Sequence, residues 1–330
     1  MSDVSAKYWI GFDLGGTKMQ CTLFDENLKQ VSGKRRRTKT ELGPEGGLER
    51  IKATIEKLLD EEEIKESQLA GIGIGVPGPV DSETGTVRVA VNLGWENTKV
   101  GEYLEEAFKC PVSVLNDVDA GVYGEYVAGA AQGAHSVVGI FPGTGIGGGC
   151  VYDGKILRGK NISCMEIGHI KICGSTRVGA TGLTGTLETE ASRLSVAAEM
   201  AKLAFRGEAP HLFQSIGTDL GEIRSKVIAD SIQNGDKEVE RVVLEACELL
   251  GFAVANMVLT ICPDYIVLGG GLVEAMPELF QKEISRVAKA HVFECYRDEF
   301  AVKCAELGDD AATVGAAAWA KQCHSSKSLS

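Results

Sequence analysis

Three glycine clusters, Gly15-Gly16, Gly143 to Gly149 and Gly269 to Gly271, each follow a short apolar run, and this recurrence constrains the chain more than any other feature. The runs Tyr8 to Asp13, Val137 to Phe141 and Tyr265 to Leu268 read as strands bounded by turn residues. The first two clusters lead into further strands, Met19 to Phe24 and a run ending at Tyr152, so one glycine-turned hairpin is written twice. Glycine makes up 41 of 330 residues, against an ordinary usage of about 7%. With no side chain and a tolerance for positive φ, glycine lets main-chain N–H groups surround phosphate oxygens. A tight turn explains one such cluster, whereas three after three strands point to a nucleotide site. Neither a Walker loop nor a clear helix-opening Rossmann fingerprint is present, which weakens P-loop and dehydrogenase readings.

At about 150 residues per domain, 330 residues predict two domains. No Pro- or Ser-rich linker divides them, so the expected architecture is two α/β lobes sharing a cleft. Apolar residues at Leu48, Ile51, Ile55, Leu58 and Leu59 predict an amphipathic helix over Pro44 to Glu62. Leu69 to Val76 reads as a strand stopped by Pro77-Gly78-Pro79. Val112 to Leu115 reads as a strand that delivers Asn116 and Asp117 just before an alanine-rich helix from Val118 to Ala131. Helical stretches follow around Thr186 to Phe205 and Glu238 to Ile261, and a final helix begins near Asp310.

Acidic residues outnumber basic ones by 46 to 34, a net charge of −12, so nucleic acid and anionic membranes are not expected partners. The basic run Lys34, Arg35, Arg36, Arg37 and Lys39 reads as a solvated strand end. The longest apolar stretch, Phe252 to Cys262, contains Asn256 and falls short of the roughly 18 residues a membrane helix needs. Ten cysteines without a CxxC read as reduced, mostly core residues, and five histidines are too few for a His-rich metal site. The first seven residues lack the organisation of a secretory signal, so a cytoplasmic location is expected.

Phosphoryl transfer to a hydroxyl needs in-line positioning, a base and neutralised phosphate charge. Asp117 at a strand end suits the base, and the same position suits Asn116 or Asp117 as a helix cap. Glu166-Ile167-Gly168-His169 and Glu188 offer carboxylates and an imidazole to a polyol. Taken singly, they read equally as surface acids and a hydrogen-bonded structural histidine.

The ordered set Asp13-Leu14-Gly15-Gly16-Thr17-Lys18, Gly75-Val76-Pro77-Gly78-Pro79-Val80-Asp81, Asn92-Leu93-Gly94-Trp95, Asn116-Asp117, Gly143 to Gly149, Glu166-Ile167-Gly168-His169, Leu268-Gly269-Gly270-Gly271 and Gly315-Ala316-Ala317 spans nearly the whole chain. It resembles the ROK (repressor, open reading frame, kinase) sugar kinases, with the bacterial glucokinases the nearest subgroup. The resemblance implies an actin-like ATPase (ribonuclease H-like) fold of two α/β lobes with an interlobe cleft. Residues 1–117, completed by a C-terminal helix at about 310–330, would form one lobe, and 118–309 the other.

The implied substrates are a hexose and ATP with Mg²⁺, the sugar most simply glucose going to glucose 6-phosphate. Fructose, N-acetylmannosamine and N-acetylglucosamine stand as alternatives, and polyphosphate as an alternative donor. By resemblance, Asp117 is the general base, and Asn116, Glu166, His169 and Glu188 hold sugar hydroxyls, with Gly78 near the sugar. Asp13 lies near Mg²⁺, Gly15, Gly16, Thr17, Lys18, Gly143, Thr144 and Gly145 form the phosphate loops, and Gly270 lies near the adenosine. A homodimer is the expected assembly. A sugar-responsive transcriptional regulator, the contrasting class, carries a DNA-reading helix-turn-helix ahead of this body, for which the residues before Tyr8 leave no room.

One departure stands out. The family usually carries a zinc motif, Cys-x-Cys-x-x-x-x-Cys-x-Glu, after the Glu-x-Gly-His element, with that histidine as fourth ligand. Here the corresponding run is Gly179-Ala180-Thr181-Gly182-Leu183-Thr184-Gly185-Thr186-Leu187-Glu188, in which all three cysteines are replaced. Glycine and threonine do not build a four-coordinate site, and Cys164 and Cys173 have the wrong spacing to substitute, so no structural zinc is expected. Packing and hydrogen bonds must then order the loop that presents His169 and Glu188.

Overall fold

The alternating and β-branched runs of the first third build two sheets in the computed structural model, which describes residues 7–160 and 162–325. The leader question at residues 1–6 and the last part of the expected C-terminal segment, 326–330, fall outside those residues. Strands β1 (Tyr8–Leu14), β2 (Lys18–Phe24), β3 (Gln30–Arg37) and β4 (Leu69–Val76) belong to the first sheet. Strands β5 (Val80–Asp81), β6 (Thr86–Ala90) and β7 (Trp95–Lys99) form a small antiparallel sheet of their own. Strand β8 (Val112–Asn116) completes the first sheet in the order β3-β2-β1-β4-β8, with β1, β4 and β8 parallel. Parallel neighbours need crossovers, and these carry α1 (Gly43–Glu61) and α2 (Val100–Phe108). The apolar face of α1, including Ile51, Ile55, Leu58 and Leu59, is buried with the strands in one core.

Helix α3 (Asp117–Ala128) is buried on almost every side between Asp119 and Glu125, and its composition explains how. Small residues let backbones touch. A Cβ at Gly124 would stand 2.1 Å from Ala311 O, and one at Gly315 would stand 1.8 Å from Ala120 O. The C-terminal helix (Ala311–Ser325) thus packs on α3 and also covers β1 and β4. Glu125, fully buried, has its carboxylate satisfied by the amide of Ala130 at 2.9 Å.

The second sheet runs β11 (Lys155–Ile156), β10 (Ile146–Tyr152), β9 (Ser136–Pro142), β12 (Tyr265–Leu268) and β13 (Ala301–Cys304) in spatial order. Its helices are α4 (Leu187–Ala191), α5 (Arg193–Phe205), α6 (Pro210–Ile216), α7 (Ser225–Gln233), α8 (Lys237–Ile261), α9 (Gly271–Ala275) and α10 (Pro277–Ala290). The stretch expected as one helix around Thr186 to Phe205 divides at Ser192, whose hydroxyl accepts from Ser195 N and caps α5. Helix α8 has the length and apolarity to cross a membrane, but 56% of its apolar window is buried against its own protein neighbours.

Two compact units result: one reaches Gly133 and includes Cys150–Cys164 and the chain from Asp309 on, and the other comprises Ala134–Gly149 and Met165–Gly308. The first extends beyond Asp117 because α3 is held by the C-terminal helix.

Candidate active site

In the first unit, the carboxyl ends of β1, β4 and β8 lie side by side: Asp13 pairs with Gly75 and Val76 with Asn116. Such strand ends are where open α/β sheets gather their ligands. Asn116 is the cap of α3, its Oδ1 accepting from Val118 N at 2.9 Å and Asp119 N at 3.2 Å. Its Nδ2 donates to Gly78 O at 3.2 Å, so both ends of the amide are engaged in the scaffold. Asp117 therefore takes the first helical position, its Oδ1 accepting from Val118 N at 3.0 Å, where the helix dipole favours negative charge. Gly78 has φ +86°, and a Cβ there would strike Val89 O at 2.1 Å, so only glycine fits this contact with the small sheet.

Asp13 is half-buried, and desolvation followed by the charge of Asp117 pushes its pKa from 3.8 up to about 7, with Lys18 opposing. A raised folded-state pKa means that stability present below pH 3.8 is lost as the pH climbs through about 7. Asp13→Asn removes that penalty. In thermal melts at pH 8 the variant is expected to exceed wild type by roughly 1–2 kcal/mol after screening, with the advantage vanishing near pH 4. A variant less stable than wild type at pH 8 would contradict this.

The first glycine turn is fastened independently of any ligand. Gly15 N donates to Lys18 O at 2.9 Å, Thr38 N to Thr17 O at 3.0 Å, and Thr38 Oγ1 to Gly15 O at 2.6 Å. Gly16 passes Asn92, and Lys18 reaches Asp309 at 2.8 Å. Asp309 also meets Arg35 at 3.1 Å, while Gln20 joins Arg35 to Asp310. Sequence reasoning missed this polar cluster; the acid pair Asp309-Asp310 before an alanine-rich helix was its only local signal. The basic run proves to be edge strand β3, with Lys34 paired to Glu61 and Arg36 bonded to Thr54.

In the second unit, Gly143 N donates to Gly145 O at 2.8 Å, and Arg193 holds the turn through Gly143 O and Thr144 Oγ1 at 3.0 and 2.8 Å. Arg193 was not foreseen. Gly147, Gly148 and Gly149 belong to strand β10 rather than to the turn. The glycines of these first two clusters do not adopt positive φ, so their conformational freedom is not what the fold uses. Close approach is: a Cβ at Gly145 would lie 2.2 Å from Glu188 Oε2, and one at Gly148 2.5 Å from Met165 O. Within the three clusters, Gly270 alone takes a positive φ, +82°, and it lies against Pro142 O, so the second and third clusters adjoin. Contrary to expectation, the third cluster does open a helix, the short α9, with Gly270 as its cap.

Glu188 Oε2 accepts from Ile146 N at 2.9 Å and so grips the second glycine loop. Glu166 is exposed and stands 3.9 Å from His169 Nε2. Leu187 N donates to Ile170 O at 3.0 Å, which joins the chain after His169 to the start of the helix bearing Glu188. Thus Gly78, Asn116, Asp117 and Asp13 gather in the first unit, and Glu166, His169, Glu188, Thr144 and Gly270 in the second.

The sequence profile of the ROK family matches residues 9–323. The chain belongs to the ROK family. This ROK chain is 32% identical over 323 residues to a glucokinase of Halalkalibacterium halodurans, covering 97% of the chain and 96% of that relative. Its fold matches a ROK family glucokinase from Streptomyces griseus in complex with glucose and AMPPNP, with TM-score 0.80, 28% identity and coverage of 96% and 99%. It also matches a ROK hexokinase from Thermus thermophilus, with TM-score 0.80, 29% identity and coverage of 97% and 99%. The fold of this ROK chain is therefore the actin-like ATPase fold.

The donor set of the 179–188 segment does not fit zinc: it offers threonine hydroxyls and bare glycines where thiolates are needed. Cys173 Sγ is turned to Gly185 O at 4.0 Å. Among the described residues, no group of three His, Cys, Asp or Glu side chains is placed to hold a metal ion.

Proposed function

We propose that this ROK sugar kinase transfers the γ-phosphoryl group of ATP to a hexose, glucose foremost, at the hydroxyl on carbon 6. The observation that carries the reading is the placement of Asp117: a half-buried carboxylate fixed at the first turn of α3, which Asn116 caps, at the carboxyl ends of the parallel strands β1, β4 and β8. The glucokinase relatives and the glucose complex of the Streptomyces griseus protein support glucose as the acceptor.

In this mechanism Asp117 takes the proton of the hydroxyl as its oxygen bonds to the γ-phosphorus, the bond to the β–γ bridging oxygen breaks, and ADP leaves. Asn116, Glu166, His169 and Glu188 are assigned to sugar hydroxyls, and Gly78 to a place near the sugar. Asn116 has its Oδ1 already committed to α3 and offers the sugar at most a remaining N–H. The turns at Gly15 to Lys18 and Gly143 to Gly145 are assigned to the phosphates, and Gly270 to the adenosine. Asp13 suits Mg²⁺, since a carboxylate disfavoured by burial beside Asp117 gains most from a cation. When bound, Mg²⁺ neutralises phosphate charge. The reading also expects a homodimer, checked by light scattering.

The test is a panel of glucose, fructose, mannose, N-acetylmannosamine and N-acetylglucosamine with Mg²⁺ and either ATP or polyphosphate, comparing kcat/KM. Glucose with ATP is expected to rank first. A chain that binds hexose yet yields no sugar phosphate from either donor would refute the kinase reading and favour a sugar responder.

A further inference from the structure

The segment between His169 and Glu188 is closed mainly upon itself. Ile172 N and Cys173 N both donate to Gly185 O, at 2.9 and 3.3 Å, and Gly179 N donates to Leu183 O at 2.9 Å. Its outer residues gain little from packing: Val178 is 69% exposed and Leu183 50%. Besides Thr186, whose hydroxyl caps α4, Arg177 reaches out to the helices. Arg177 Nη1 lies 3.2 Å from Glu190 Oε2 on α4, and Nη2 donates to Glu199 Oε1 on α5 at 2.5 Å.

We propose that Arg177 is a positioning residue for the sugar-binding side chains, tying the 170–187 segment to α4 and α5 where no metal centre can be built. The inference rests on the kinase reading for its consequence, though the tie itself does not.

Most exposed ion pairs contribute little, and three observations set this one apart. The Glu190 side chain is only 10% exposed, and its other oxygen accepts from Thr189 Oγ1 at 3.1 Å. Removing Arg177 leaves a nearly buried carboxylate without its cation, which costs far more than a surface pair returns. Second, the planar guanidinium spans two acids on two helices at once, which a lysine ammonium cannot match. Third, Glu190 lies on the same short helix as Glu188, whose carboxylate holds the amide of Ile146. The segment leaves that helix through the bond from Leu187 N to Ile170 O, next to His169. Arg177 therefore fastens the middle of a loop whose two ends carry His169 and Glu188. It also lines, with Thr144, Glu188 and Lys202, a hollow of about 430 Å³ beside the second glycine loop.

The experiment pairs steady-state kinetics with hydrogen exchange on Arg177→Ala, Arg177→Lys and a control, Arg206→Ala, which removes an exposed pair with Glu208 and keeps the Arg177 fork. Arg177→Ala is expected to raise the sugar KM about tenfold, with kcat and the ATP KM within about threefold of wild type. Amide exchange should accelerate within 170–187 and not in β1 or β4. Arg177→Lys should recover part of both effects, Arg206→Ala should show neither, and a zinc-selective chelator, with Mg²⁺ in excess, should leave the exchange of wild type in 170–187 unchanged. Unaltered exchange in 170–187 of Arg177→Ala overturns the tie, as does a zinc-selective chelator that loosens this segment in wild type with Mg²⁺ in excess. Faster exchange with an unmoved sugar KM overturns the positioning role. Were the chain to phosphorylate no hexose, the kinase reading would fail while the exchange result still decided the tie.

Discussion

Asp117→Asn is expected to lower kcat with glucose by about 10²- to 10⁴-fold, the usual contribution of a positioned general base. The amide keeps the shape of the carboxylate and can still accept from Val118 N, the bond seen at 3.0 Å, but it cannot take the hydroxyl proton. The cap of α3 is Asn116, so the helix and the strand end beneath it should persist, and the melting temperature should change little. Glucose affinity, measured by calorimetry, should stay within about threefold because in-line attack rather than ground-state binding is what the substitution removes. Loss of the Asp117 charge should also lower the pKa of Asp13, since that charge is one of the causes holding it up. Near-normal turnover in an ADP-release assay would dismiss Asp117 as the base.

The second large effect concerns the fold. Gly73 lies in β4, between β1 and β8, and a Cβ there would fall 1.8 Å from Ala316 O and 2.3 Å from its carbonyl carbon. Both atoms are backbone of the C-terminal helix, and neither can swing aside. Gly73→Ala must therefore lift that helix off the sheet, at a cost expected to be about 3 kcal/mol or more. Gly174→Ala is the matching control, because a Cβ at that glycine meets nothing within 4 Å, and its effect should stay within about 0.5 kcal/mol. Denaturant melts compare the two. A Gly73→Ala chain as stable as wild type would show that the helix does not depend on this contact.

Local chemistry made much of the fold legible. Strands 69–76 and 265–268 appear with the bounds read from their apolar runs, and α1 differs from its expected span by one residue at each end. Turn residues punctuate these runs, so neighbours in sequence suffice to find them. The small sheet of β5, β6 and β7 was invisible because Pro77-Gly78-Pro79 reads as a stop, and its pairing of Val80 with Val87 is set by partners outside the local pattern. Helix α3 carries no amphipathic stripe, since it is buried nearly all round by small residues.

At the site, the glycine clusters and Asn116-Asp117 were legible, but the reasons behind them were not. Two clusters serve close approach rather than left-handed backbone, and the ambiguity of the cap was settled only by the bonds that Asn116 makes. Residues far apart in sequence left no signal: Lys18 meets Asp309 across nearly the whole chain, and Arg177 finds its two acids on separate helices.

The most direct measurement is ³¹P nuclear magnetic resonance of wild-type protein incubated with glucose, ATP and Mg²⁺. A sugar 6-phosphate resonance growing in step with ADP is the predicted result. ATP that persists unchanged, or gives only inorganic phosphate while glucose is untouched, would contradict phosphoryl transfer to a hexose hydroxyl.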